Sequence, residues 1–165
     1  PLTIGLNFIL LYTAFNSVRY ATLIIANVPF AAIGGIISLF VSGQYLSVPA
    51  AVGFIAVFGV AMLNGIVLIS FLNGLREQGL NIRETVVQGA VLRLRPVLMT
   101  ALVEILGLLP FLLATGVGSE VLRPLATVVV GGLVSSTALT LFILPLVYEW
   151  MELRRQSPTL EGASQ

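Results

Sequence analysis

The 165-residue sequence contains no cysteine, no histidine, no aspartate and no lysine. Lacking thiolate and imidazole, it has no ligands for most zinc sites, cannot build a Ser-His triad and forms no disulfide. An intramembrane hydrolase would need a nucleophile with a base, or a pair of acids, and the missing His and Asp argue against one. Charge of either sign is scarce, with 9% charged residues against roughly 25% in soluble domains. What fills the chain instead is hydrocarbon: 58% of residues are hydrophobic and the mean hydropathy is +1.06. The polar residues sit in short stretches between long apolar runs, the pattern of an integral membrane protein with water only at the ends of its spans. The net charge of +1 therefore says little about partners. No basic stretch precedes the first apolar run, so no cleavable signal is read, and a start at Pro1 instead of Met is expected of a fragment.

Five apolar runs define an all-α, polytopic membrane helix bundle. They cover about 1–15, 20–41, 48–72, 96–115 and 125–150. A span needs roughly 20 residues to cross about 30 Å of hydrocarbon, so the first run reads as truncated and the other four as complete. Gly43 and Pro49 mark the turn of a hairpin between the second and third. Pro96 opens the fourth, where a first helical turn tolerates it. Between the third and fourth, "NIRETVVQGAVLRLRP" places Ile82, Val86, Ala90 and, less regularly, Val91 on one stripe. This predicts a separate interfacial helix over about 81–93, linking two spans, with a coupling role as the alternative. Asn81 is its expected cap, with Glu84 three residues on. The tail, 156–165, is polar and expected to be disordered.

If the spans alternate, Arg19, Arg76, Arg83, Arg93, Arg95, Arg154 and Arg155 fall on one side and only Arg123 on the other. Seven against one predicts that the 73–95 loop and the C-terminus are cytoplasmic. Small residues mark expected helix contacts. Gly132, Ser136 and Thr140 recur every fourth residue in the fifth span, and Gly65 lies in the third, so close packing against another backbone is expected there.

One carboxylate stands inside the apolar run "RPVLMTALVEILGLLPFLLATG". Glu104 lies about nine residues, roughly 13 Å, beyond Arg95, near mid-membrane. Its helical face carries Thr100, Ala101 and Gly107, whereas Leu102, Ile105, Leu106 and Leu109 point mainly elsewhere. A charge at the bilayer centre costs about 2.5–3.5 kcal/mol on insertion scales, so this carboxyl is expected to face protein or water, or to take up a proton. It is a candidate for proton handling; a neutral Glu that hydrogen-bonds a neighbouring helix fits equally. Asn64 is a weaker relay candidate, its amide being suited to bridging helices.

The runs "AVGFIAVFGVAMLNGIVLISFLNGLREQG" and "AVLRLRPVLMTALVEILGLLPFLLATGVGSEVLRPLATVVVGGLVSSTALTLFILPLVYEWME" resemble the end of the resistance-nodulation-division (RND) efflux pumps. The resemblance covers 1–155, and "GVAMLNG" and "GSEVLRPLATVVVGGLVSSTALTLFILPLVY" are most similar to the heavy-metal branch of the cobalt-zinc-cadmium type. It implies the C-terminal membrane portion of a proton-driven heavy-metal cation exporter, spans eight to twelve of twelve. The remaining N-terminal part of the pump, homotrimerisation of the full-length protein, a periplasmic adaptor and an outer-membrane channel are implied partners, in a bacterial inner membrane. Neither a cofactor nor a nucleic acid is implied. The chain is not expected to be an enzyme, and alone it is not expected to pump, because the family's central acids and substrate sites lie in other segments. An RND exporter of drugs, or a non-transporting remnant or split subunit, are the alternatives.

Relay positions of the family map onto Leu63, Val97 and Thr100. Leu63 and Val97 are apolar here, leaving Thr100 as a possible relay hydroxyl, and Glu104, one turn beyond, as a replacement for a charge lost at Leu63. The resemblance to the cobalt-zinc-cadmium type implies a divalent ion, zinc, cobalt, cadmium or nickel; separately, Met62, Met99 and Met151 lack the paired spacing of a soft-metal site and read as packing or lipid-facing residues. No metal-ligand cluster is read in these residues.

Overall fold

A computed structural model describes residues 1–161, and within them every regular element is a helix. Helix α1 spans Leu2–Phe15, α2 Val18–Val41, α3 Val48–Glu77 and α4 Ile82–Leu112. Then α5 (Ser119–Ala138), a π-helical turn (Leu139–Ile143) and α6 (Leu144–Glu161) follow without a break. Four rods, α2, α3, α4 and the joined α5 and α6, are long and apolar enough to cross a membrane, and α1 is a shorter apolar helix. Gly43, at φ 64°, makes the turn after α2. The Ser47 hydroxyl then caps α3 by accepting from the Ala50 amide at 3.4 Å, with proline in the first turn.

Three features differ from what the sequence predicts. The interfacial helix expected over 81–93 and the span expected over 96–115 are one helix, Ile82–Leu112, running straight through Pro96. Proline removes one backbone bond and usually costs about 3 kcal/mol inside a helix, yet the helix is unbroken there. Ile82, Thr85, Val86 and Gly89 form the buried stripe, and Gly89 sits directly on Leu72 of α3. Protein thus covers the face that the sequence assigned to lipid headgroups, while Val91 is exposed. Asn81 takes the N-cap position without a side-chain hydrogen bond, so the expected capping box does not form. Last, the tail expected to be disordered is helical through Glu161, and residues 162–165 lie outside the described residues.

The bundle is organised by the crossing of α2 on α5. Gly34 and Gly131 face each other so closely that a Cβ on Gly34 would lie 2.6 Å from the Gly131 carbonyl oxygen, and one on Gly131 would lie 2.7 Å from that of Gly34. Only residues without a side chain allow two backbones to approach this far, the small-residue packing of membrane helices. Hydroxyls reinforce it: Ser38 Oγ donates to the Thr127 carbonyl at 2.9 Å and Ser135 Oγ to the Phe30 carbonyl at 2.8 Å. Gly132 packs on Val57 and the Ala31 carbonyl, and Gly65 on Ile24. Ser136 and Thr140 are both buried. At the opposite end from most arginines, Arg123 Nε donates to the Leu112 carbonyl at 3.2 Å, satisfying one of the acceptors that end α4.

Candidate functional site

The relay candidates lie on α3 and on α4, the least enclosed of the four long helices. Glu104 is half-buried, three residues from Ala101, which is the one buried residue of α4 beyond Gly89. The neighbours Leu102, Val103 and Leu106 are exposed, so the carboxyl stands at the edge of the narrow face that α4 turns to the bundle. Among the described residues no hydrogen bond or ion pair reaches it. Thr100 is exposed and donates to the Pro96 carbonyl at 2.9 Å within its own helix. Asn64 is half-buried, beside the exposed Leu63. No hydrogen bond joins Glu104, Thr100 and Asn64 to one another among the described residues. An apolar cleft of about 230 Å³ opens between α4 and α5, lined by Ala101 and Ile105 on one side and Thr137 and Leu141 on the other.

A polar node that the sequence reading did not single out lies deeper. Asn27 of α2 is fully buried. Its Nδ2 donates to the Ala61 carbonyl of α3 at 3.0 Å and to Thr140 Oγ1 at 3.2 Å, and Thr140 belongs to the π-helical turn. In that turn the Leu144 amide bonds back to the Leu139 carbonyl, a five-residue step, and such turns recur at functional sites. One amide therefore ties three rods together in the membrane. Asn27 Oδ1 and the hydroxyls of Ser136 and Thr137 are buried with no partner among the described residues. Interhelical bonds in membranes contribute about 0.6 kcal/mol on average and up to about 1.7. Asn27→Leu, which loses two, is expected to lower stability by about 1–2 kcal/mol, read as the unfolding midpoint of the complete protein. A variant as stable as wild type would show that the node holds nothing.

The third cluster clasps the arginine-rich ends of α2, α3 and α6. Glu152 is buried, with 4% of its surface exposed. The Tyr20 hydroxyl donates to Oε1, and Arg76 Nη1 donates to Oε2 in an ion pair. Tyr148, four residues before Glu152, is also fully buried; it stacks on Tyr20 with ring centroids 5.7 Å apart and donates to Asn73 Oδ1 at 2.8 Å. Beneath lies an apolar cluster that includes Ile24, Leu68, Ile69, Leu72 and Leu144. Two cavities of about 530 Å³ flank Glu152, one toward Asn73 and Arg76, the other toward the α1–α2 turn. Among the described residues no group of three His, Cys, Asp or Glu side chains is placed to hold a metal ion.

Residues 1–152 match the family described as AcrB/AcrD/AcrF. The chain belongs to that family. Within it, the similarity runs to heavy-metal pumps. The chain is 53% identical over 148 residues to the cobalt-zinc-cadmium resistance protein CzcA of Cupriavidus metallidurans, covering 90% of this chain and 14% of that protein. It is 44% identical over 166 residues to the cation efflux system protein CusA of Escherichia coli K12, covering 94% of this chain and 16% of that one. Among solved structures, a heavy metal efflux pump in its crystal form II superposes with a TM-score of 0.83 at 50% identity, over 93% of this chain and 15% of the pump. The chain thus spans about one seventh of the length of the curated relatives that it matches.

The best-connected polar groups of this AcrB/AcrD/AcrF chain lie where local sequence carries little signal. Asn27 had the same signal as Asn64, an amide inside an apolar span. Glu152 and Arg76 read as ordinary charges beyond the ends of spans, because nothing local reveals that residues 76 positions apart are paired.

Proposed function

We propose that the chain is the C-terminal membrane portion of a proton-driven heavy-metal cation exporter, a multi-pass protein of the bacterial inner membrane with its C-terminus cytoplasmic. It acts as a transporter and not as an enzyme. The observation that carries this reading is the superposition of its helices on a solved heavy metal efflux pump at half sequence identity. In the complete protein the remaining spans and periplasmic domains supply the substrate path, three copies assemble, and an adaptor and outer-membrane channel complete the route. The cargo in this reading is a divalent ion of the kind named for CzcA. Glu104 supports a role in proton transfer by its position: an acid well inside an apolar span, on the inward edge of α4, beside a face of α3 and α4 left open for other helices. Intramembrane acids in such places mark proton pathways.

The test is metal tolerance of cells carrying the complete gene, across zinc, cobalt, cadmium and nickel. Glu104→Gln is expected to lower proton-coupled export at least tenfold while trimer assembly stays normal. Export at the wild-type rate at several external pH values would reduce Glu104 to a packing residue. An acid restored at Leu63 in the same variant is expected to recover part of the activity, since Leu63 occupies the family's relay position.

A further inference from the structure

The cavity between the α1–α2 turn and the end of α6, which the proposed proton path does not use, has the lining of an anion site. Arg19 and Arg155 both border it, both are exposed, and neither guanidinium has a partner among the described residues. The one carboxylate in the lining, Glu152, has both oxygens occupied by Tyr20 and Arg76, so its charge is already compensated. The sister cavity includes Glu77 as well, which disfavours an anion there. Phe15, Val18 and Met151 give the chosen cavity an apolar wall beside its basic one. Tyr12 and Tyr20 line it too, and a neighbouring pocket that shares Arg19 and Met151 is lined by Trp150, covered by Arg154 at 4.0 Å from the ring centroid. Aromatic rings mixed with arginines at the ends of spans mark the headgroup level of a bilayer.

We propose that this cavity binds the phosphodiester headgroup of an anionic phospholipid, held by Arg19 and Arg155, with the acyl chains leaving along Phe15 and Val18. Basic pockets between membrane helices recognise such headgroups, and an arginine near the surface typically adds about a fivefold gain in affinity. The site requires only that the bundle sit in a membrane; it does not depend on metal transport. In the orientation proposed above, the lipid belongs to the inner leaflet.

The test uses the complete pump, stripped of lipid in detergent, with its thermal unfolding midpoint followed against phosphatidylglycerol, phosphatidylcholine of the same chains, or sodium phosphate. Phosphatidylglycerol is expected to raise the midpoint and the other two to leave it unmoved. The R19Q/R155Q variant is expected to need about thirty times more phosphatidylglycerol for half the effect. Both side chains are exposed, so neither change strands a buried charge; Arg155→Gln alone, with about a fivefold shift, serves if the double variant fails to fold. Equal stabilisation by phosphatidylcholine would overturn the proposal. So would the full effect from phosphate alone, which would make the occupant a free anion, or variants that respond like wild type.

Discussion

Glu152→Ala is expected to destabilise the protein by about 3 kcal/mol or more, the range seen when one partner of a buried ion pair is removed. The cause is less the lost attraction than what remains. Arg76 keeps its charge with only 28% of its side chain exposed, and the Tyr20 hydroxyl loses its acceptor. Glu152→Gln is expected to lose nearly as much, because an amide can accept from Tyr20 but cannot compensate the guanidinium. Replacing both partners by methionine is expected to be far milder than the sum of the single changes, since an apolar pair of similar volume leaves nothing unpaired. Unfolding midpoints of wild type, Glu152→Met, Arg76→Met and the double variant give the cycle. Additive losses would mean that Arg76 and Glu152 do not act as a pair in the membrane.

Gly34→Ala is expected to cost about 3 kcal/mol, at the upper end of ordinary overpacking, and to reduce the yield of folded protein. The new Cβ meets the Gly131 carbonyl at 2.6 Å and the side chain of Ser135, and a backbone oxygen cannot rotate away as a side chain can. Relief requires α2 and α5 to separate, which also lengthens the bonds from Ser38 to Thr127 and from Ser135 to Phe30. Gly131→Ala is the mirror case. The double variant is expected to cost less than the sum, because once the helices have parted the second Cβ enters free space. Gly107→Ala supplies the contrast. Among the described residues nothing lies within 4 Å of a Cβ there, so the change is expected to be neutral or to stabilise by up to about 1 kcal/mol. A large loss at Gly107 would mean that another helix of the complete protein packs on that side of α4.

The two predictions draw on features that were unequally legible. The small residues of the fifth span announced a close contact by their spacing, and Gly132 does lie against Val57 and Ala31. Which helix would supply the partner was not readable, because a small-residue stripe specifies how near a backbone can come and not whose. The clasp was harder still. Tyr148 and Glu152 share a face by their four-residue spacing, but Asn73, Arg76 and Tyr20 belong to other helices, and their meeting depends on the order in which rods pack. Glu104 shows the reverse. Its oddity was plain from one acid in an apolar run, whereas the structure leaves it half-buried and unbonded among the described residues, because beyond Gly89 α4 buries only Ala101 against its neighbours.

By itself the sequence determined that the chain is a set of membrane helices, roughly where each crosses, and which family it resembles. Hydrocarbon imposes those features locally: each span must satisfy its own backbone bonds and exclude charge, so composition and length suffice to reveal it. Only the tertiary structure decided that α4 continues through Pro96, that α2 and α5 touch backbone to backbone, and that Asn27 and Glu152 are the joints of the bundle. Those outcomes depend on which faces meet. In a membrane, where lipid is as apolar as leucine, that choice falls to a few close contacts and hydrogen bonds between residues distant in sequence.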